Sequence, residues 1–240
     1  MRALKAIIPA LLLCVLLGGC ATTATNAMER DPLEGFNRAM FNVTLKADKA
    51  VFRPTALVYR RVVPEPIRVS FRNFLANLNS PVIFANDVLQ GEVNRAGSTL
   101  LRACINTTIG VGGLLDVATR WGYPRHTEDF GQTLAVYGVG EGFYLFLPLL
   151  GPSNPRDLLG YAVDFAFDPL TYVQWGHESY IPYLRVGFDF LDVRERNIET
   201  FDEIEMNSVD FYASVRGLYR QTRANEIKNS AAQIEDLPDF

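Results

Sequence analysis

Residues 131–155 set the strongest limit on what this chain can fold into. Across those 25 residues the only charged side chain is Glu141, and Phe143, Tyr144, Leu145, Phe146, Leu147, Leu149 and Leu150 form an apolar block. Gly138, Gly140, Gly142, Pro148, Gly151 and Pro152 interrupt it, too often for one helix to run through, since both residue types oppose helix interiors. A broken apolar segment needs protein partners for its backbone groups, in lipid above all. Two readings therefore stand side by side: a buried core hairpin, or a re-entrant hairpin at bilayer depth.

The rest of the chain reads as helices. Phe36, Met40, Val43, Ala47 and Val51 step by three and four, the period of an amphipathic helix. Pro54, Pro64 and Pro66 punctuate the next stretch, and Phe71, Leu75 and Leu78 give a second stripe. Ser80 is the expected cap of a third helix, with Pro81 at its first position, where a missing N–H is harmless. That helix carries Val82, Ala85 and Leu89; Gly91 marks a bend before another over residues 92–106. Asn154-Pro155-Arg156-Asp157 has the form of a helix start. Tyr161, Phe165, Phe167, Tyr172, Trp175, Tyr180 and Tyr183 make an aromatic series of the kind found at membrane interfaces as well as in cores. A helix is expected from Pro182 to about Glu205, and Asn207-Ser208-Val209-Asp210 restarts the pattern for Phe211, Val215, Leu218 and Thr222. No sustained period-two alternation occurs, so the fold class is all-α.

The chain begins Met1-Arg2-Ala3-Leu4-Lys5, followed by an apolar run from Ala6 to Leu17. A positive start and a short apolar stretch make a signal peptide, and the stretch is too short to span a bilayer. It ends in Leu17-Gly18-Gly19-Cys20, which resembles the lipobox of bacterial lipoproteins. Cleavage after Gly19 and lipidation of Cys20 are expected, with Ala21 as an outer-membrane address. Residues 1–19 are thus the cleaved signal, 20–30 a lipidated tether, 31–228 the folded domain and 229–240 a C-terminal tail without periodicity. Buried acyl methylenes contribute roughly 0.8 kcal/mol apiece, so such an anchor would be effectively permanent.

Removing the signal takes Arg2 and Lys5 from a chain of formal charge −4, leaving −6. That balance disfavours nucleic acid as a partner. Cys14 leaves with the signal and Cys20 is acylated, so Cys104 is the one free thiol of the mature chain and no intrachain disulfide can form. Its neighbours Leu100, Leu101 and Ile105 predict a buried, inert cysteine. Charge is also unevenly distributed. Residues 46–72 hold seven basic side chains against Asp48 and Glu65, whereas residues 189–210 hold eight acids against Arg194 and Arg196. These are either two solvated faces of opposite sign or a basic surface for phosphate head groups, with Lys46, Lys49, Arg53, Arg60 and Arg61 as the contacts.

Signatures of catalysis are sparse. His126 and His177 are the only histidines, and neither lies in H-E-x-x-H. Neither G-x-S-x-G nor a P-loop occurs, and Gly138-Val139-Gly140-Glu141-Gly142 lacks dinucleotide-binding spacing. His126-Thr127-Glu128-Asp129 can be drawn as acid and base, but a charged turn beside Pro124 accounts for it without catalysis. The expectation is a protein that is not an enzyme, with no cofactor and no metal.

Several blocks then fall in one order. They are residues 31–38 (Asp31-Pro32-Leu33-Glu34-Gly35-Phe36-Asn37-Arg38), Asn86-Asp87-Val88-Leu89-Gln90-Gly91, Asn106-Thr107-Thr108-Ile109-Gly110 and Gly113-Leu114-Leu115-Asp116. Glu128-Asp129-Phe130-Gly131-Gln132-Thr133-Leu134, Leu147-Pro148-Leu149-Leu150-Gly151-Pro152-Ser153, Arg156-Asp157 and Asn207-Ser208-Val209-Asp210 continue the series. With the lipobox in front, the chain resembles the MlaA/VacJ family of phospholipid-transport lipoproteins. It departs from the family pattern at Ala103, after Arg102, and at Phe143, after Gly142.

The resemblance implies an all-α, ring-shaped, membrane-embedded domain with a central amphipathic channel, beside trimeric porins of the outer membrane. It implies removal of mislocalised phospholipid from the outer leaflet and delivery to a soluble periplasmic carrier, which maintains lipid asymmetry. The alternatives are a phospholipid hydrolase and a structural lipoprotein acting through partner contacts. It also shifts residues 131–155 toward the membrane-embedded reading, with Tyr137, Phe143, Tyr144, Phe146, Leu147, Leu149 and Leu150 at lipid depth. Leu237 and Phe240, in an acidic tail, are the expected carrier-docking residues.

Overall fold

A computed structural model describes residues 31–172 and 181–228; Cys20, Trp175, His177, Tyr180 and the tail with Leu237 and Phe240 lie outside them. Helix α1 (Glu34–Ala47) passes through a π-helical turn (Asp48–Phe52) into α2 (Arg53–Val62), followed by α3 (Glu65–Leu78), α4 (Ser80–Leu89) and α5 (Val93–Thr108). A short α6 (Val117–Arg120) and α7 (Phe130–Val136) precede a two-stranded hairpin, β1 (Leu145–Leu147) and β2 (Gly151–Ser153). Helix α8 (Pro155–Phe167), a 3-10 turn (Pro169–Thr171), α9 (Ile181–Arg196), α10 (Ile198–Asn207) and α11 (Phe211–Ile227) complete the described chain. The all-α expectation holds, with that small sheet as an addition.

Local chemistry explains where the helices bend. Pro54 does not interrupt the first helix. The ladder widens just before it, with the Arg53 N–H reaching the Asp48 carbonyl, and this accommodates a residue that has no N–H and crowds the carbonyl four places back. Pro64 does break the chain, forcing Val63 before it into extended backbone. Ser80 is not the cap of α4: Asn79 stands at the boundary and no side chain caps it. Gly91 makes the predicted bend with φ +79°, which glycine adopts without steric cost. Asn154 caps α8 as predicted, its Oδ1 accepting from the Asp157 N–H at 2.8 Å. The single helix expected from Pro182 to Glu205 is two, broken at Asn197, whose side-chain amide donates to the Val193 carbonyl at 2.7 Å. Such back-bonding bends helices.

The hairpin pairs Leu145 with Ser153, Phe146 with Pro152 and Leu147 with Gly151. Strands of three residues are too short to carry a readable alternation. Asn37, fully buried, holds β1 to α1: its Nδ2 donates to the Tyr144 carbonyl at 3.0 Å and its Oδ1 accepts from the Phe146 N–H at 2.9 Å. Phe41, Tyr144, Phe146, Tyr212 and Val215 form the apolar core there, with Phe41 edge-on to Phe146, Phe211 and Tyr212.

That cluster is small, and the balance of inside and outside is unusual. The largest side chains sealed from solvent are Asn37, Asn86, Asn154, Thr133, Asp87 and Ser153. Large apolar side chains stand exposed on α2, α3, α5, α8 and the hairpin, among them Val58, Ile67, Leu100, Phe165 and Leu150. Water-soluble monomers seldom expose extended apolar surface. No helix among the described residues is long and apolar enough to cross a membrane.

Candidate functional site

The polar interior is built where α7 crosses α8. An added Cβ on Gly160 would sit 2.4 Å from the Gly131 nitrogen, and one on Gly131 would sit 2.6 Å from both the Arg223 guanidinium and an Asp157 oxygen. Two glycines therefore let the backbones approach and leave room for charge. Arg223 of α11 fills it, bonding Asp129 at 2.6 and 2.7 Å and Asp157 at 2.8 Å. Asp157 also accepts from Tyr219, Asn154 and Arg156. The guanidinium and these hydrogen bonds outweigh burial and hold both carboxyls below the usual carboxylate range. Two turns along α8, Asp164 accepts from the Phe130 N–H and from Asn86, whose Oδ1 takes the Thr133 hydroxyl.

The acid-base grouping drawn at residues 126–129 is dispersed in space. His126 Nε2 lies 3.0 Å from Asp87 and 3.2 Å from the Thr99 hydroxyl. Glu128 takes Arg95 at 2.6 Å and Gln90 at 2.8 Å, while Asp129 takes Arg223. His126, Glu128 and Asp129 are each spent on different partners, which tie this loop to α4, α5 and α11.

Beside this network lies a small open concavity of about 30 Å³ lined largely by polar residues. Asn73, Asn77 and Ser80 of α3 and α4 line one side, and Arg102, Asp116 and Arg125 the other. Arg102 bonds Asp116 at 3.2 Å and the Thr119 hydroxyl at 2.9 Å, and also donates to the Tyr123 carbonyl, so Ala103 after it disturbs nothing at that anchor. Asp116 also accepts from Asn106 and Thr119. These hydrogen bonds and the neighbouring Arg102 overcome the opposing effect of burial and hold its carboxyl down at about 2.

The two stretches of opposite charge meet each other. Lys49 pairs with Glu205, Arg53 with Asp202 at 2.6 Å, and Arg60 with both Glu195 and Glu199. Arg68 and Arg72 continue the row to Glu195 and Asp192, while Arg194 returns to Asp48. Lys49, Arg53 and Arg60, the expected head-group contacts, are therefore occupied by carboxylates of the same chain. Helix α2 packs along α9, which brings Glu195 to Arg60, while Glu199, Asp202 and Glu205 reach the row from α10. Lys46 and Arg61 are exposed, without an ion-pair partner among the described residues.

Residues 131–155 divide by side chain. Tyr144 and Phe146 point into the protein core, because β1 alternates its faces and Asn37 fixes which face is inward. Leu147 is half-buried in β1. Tyr137, Phe143, Leu149 and Leu150 are exposed, and Gly142, at φ +76° against Pro155, makes the bend beside Phe143. Cys104 is a correction: it is exposed, not buried. Helix α5 turns Leu100, Leu101 and Cys104 outward and Thr99 and Asn106 inward, so its apolar neighbours mark an outer face.

Sequence reasoning passes over Asn37, Arg125 and Arg223 as individual residues. Asn37 and Arg223 are buried polar side chains on helices, which periodicity alone treats as solvent-facing, and Arg125 lies in a charged loop that offers no periodicity.

Comparison with known proteins places these features. A family model described as MlaA lipoprotein matches residues 29–226. The intermembrane phospholipid transport system lipoprotein MlaA of Escherichia coli strain K12 is 35% identical over 243 residues, covering 94% of each chain. The Haemophilus influenzae protein of the same description is 33% identical, over 98% of this chain and 96% of its own. A protein of Rickettsia prowazekii described as uncharacterized is 32% identical over 82% of this chain and 78% of its own. A solved structure, from work on the structural basis for maintenance of bacterial outer membrane lipid asymmetry, superposes with a TM-score of 0.75 at 32% identity. It covers 83% of this chain and 100% of its own.

Proposed function

As the chain belongs to the MlaA lipoprotein family, we propose that it withdraws misplaced phospholipid from the outer leaflet of the outer membrane through a polar path in its own interior. The family assignment carries phospholipid transport for outer-membrane lipid asymmetry and association with that membrane. The observation that supports the finer reading is the inverted distribution of polarity. Asn86, Asp87, Asn154 and Thr133 are sealed inside, while Leu100, Leu101, Leu149 and Leu150 face outward. Lipid can satisfy such an exterior as water cannot, and a head group needs a polar lining of the kind that Asn73, Asn77 and Arg102 give the concavity. A ring around an amphipathic channel follows from this reading, with the exterior held in the membrane by lipid on Cys20 and the domain facing the periplasm.

The reading is tested in cells lacking the gene, scored for phospholipid at the cell surface. Wild-type chain restores a surface depleted of phospholipid, and Cys20→Ala fails to do so because it is neither lipidated nor retained in the membrane. Surface phospholipid that stays normal without the gene would favour a structural lipoprotein, and release of lysolipid by purified protein would favour a hydrolase.

A porin trimer beside the domain and a soluble carrier below it complete the proposal. Leu237 and Phe240, in Glu235-Asp236-Leu237-Pro238-Asp239-Phe240, would dock the carrier weakly, because a shuttle must leave again. Deleting residues 229–240 is expected to preserve membrane insertion and porin association while lowering carrier affinity. Unchanged affinity in vitro would move the docking site onto the helical domain.

A further inference from the structure

We propose that the concavity between α3, α4 and the loop carrying Arg125 is a subsite for the phosphodiester of a glycerophospholipid head group, with Arg125 as its anion-binding side chain. The inference rests on the transport reading above and names a place where the cargo is held. Its basis is which hydrogen-bonding groups in the cavity are already used. Arg102 is committed to Asp116, Thr119 and Tyr123. Asp116, the carboxylate in the wall, is committed to Arg102, Asn106 and Thr119. His126 Nε2 is committed to Asp87 and Thr99.

The donors that remain are different in kind. Arg125 makes no hydrogen bond or ion pair with any described residue, and neither does the Ser80 hydroxyl. The Asn73 amide makes only a long contact, 3.5 Å, to the Leu114 carbonyl. With its carboxylate committed and a guanidinium open, the concavity favours an anion that accepts several hydrogen bonds. Guanidinium suits phosphate oxygens by its planar fork.

Arg125 also differs from other arginines of the chain. Arg38, Arg53, Arg60, Arg72, Arg95 and Arg223 all meet carboxylates. Arg61, Arg120 and Arg125 do not; all three are exposed, and Arg61 and Arg120 stand outside the concavity. Arg125 alone of the three is placed in its wall. Ala76 and Ile83, in the same lining, give the concavity an apolar side, which free phosphate would not need.

The test uses purified full-length protein in detergent and a soluble probe, dihexanoylphosphatidylethanolamine, with inorganic phosphate and dihexanoylglycerol as comparison ligands. Wild type is expected to bind the phospholipid more tightly than either. Arg125→Gln should weaken that binding about tenfold or more, the effect of losing a charge-assisted hydrogen bond. Arg125→Lys should retain part of it as a point charge, and Arg120→Gln should change nothing. Because Arg125 is unpaired, the unfolding midpoint of Arg125→Gln should match wild type. Equal binding by Arg125→Gln and wild type overturns the subsite, as does inorganic phosphate that binds as tightly with the same dependence on Arg125. Failure of the transport reading would show elsewhere, as wild-type chain that does not clear surface phospholipid from cells lacking the gene.

Discussion

Arg223→Ala should destabilise the protein by about 3–5 kcal/mol, the usual result of removing one partner from a buried ion pair. Arg223 is buried and reaches Asp129 with two nitrogens and Asp157 with a third. Asp157 keeps Tyr219, Asn154 and Arg156 when the guanidinium is gone, but Asp129 is left with Gln132. The loss should therefore fall mainly on the Asp129 side, and Asp129→Asn in the Arg223→Ala background should recover part of it. Denaturant unfolding of the purified protein in detergent reads both effects. A midpoint unchanged by Arg223→Ala would show that the network contributes little beyond packing.

The same site fixes a pH dependence. Asp129 and Asp157 are held below the ordinary aspartate value near 3.8 in the folded state. A depressed folded pKa contributes stability that is fully present above the unfolded pKa and is lost as pH falls through the folded one. Stability from this network should thus be complete at neutral pH and fall away below about pH 4, the unfolded aspartate value. In Asp129→Asn that acid limb should be shallower.

The helices are legible in the sequence because their periodicity, prolines and caps act locally. Asn154 and Gly91 read correctly, since a cap needs only its own first turn and a left-handed bend only its own φ. Pro54 misleads because a widened ladder, invisible in composition, absorbs a proline. Asn197 misleads because its break depends on a side chain choosing a backbone carbonyl. The site is legible only as blocks. Asn37, Asn86, Asp87, Asp129 and Asp157 all lie in segments that carry the family resemblance, yet their roles depend on partners up to a hundred or more positions away, as with Asn37 and Tyr144. The paired charge runs show the same limit. Seven cations in one stretch and eight acids in another announce a charge pattern, but only the packing of α2 along α9, with the acids of α10 in reach, turns two surfaces into one interface. Cys104 misleads because apolar neighbours are equated with burial, an inference that reverses when the apolar face of a helix is the outer one.

Leu150→Arg should abolish stable seating of the hairpin in the outer membrane while leaving the fold intact. An arginine at bilayer depth costs at least ~2.5 kcal/mol on insertion scales, against a contribution near zero for an exposed substitution in water. Leu147 is the poorer place for the test, because it is half-buried in β1 and an arginine there would disturb the pairing with Gly151. Tyr144 and Phe146 are worse, being core residues whose loss would unfold the hairpin. Leu150 lies in the turn and is 57% exposed, so its side chain reports on what surrounds the protein. The measurement combines two readouts: the unfolding midpoint of Leu150→Arg in detergent, and the protection of a Leu150→Cys thiol from a bulky aqueous reagent in native membranes. With the natural exposed thiol removed by Cys104→Ser, an unchanged midpoint together with a protected thiol is the outcome the lipid-facing hairpin requires. Free labelling at position 150 would place the hairpin in water and leave its exposed leucines to a protein partner.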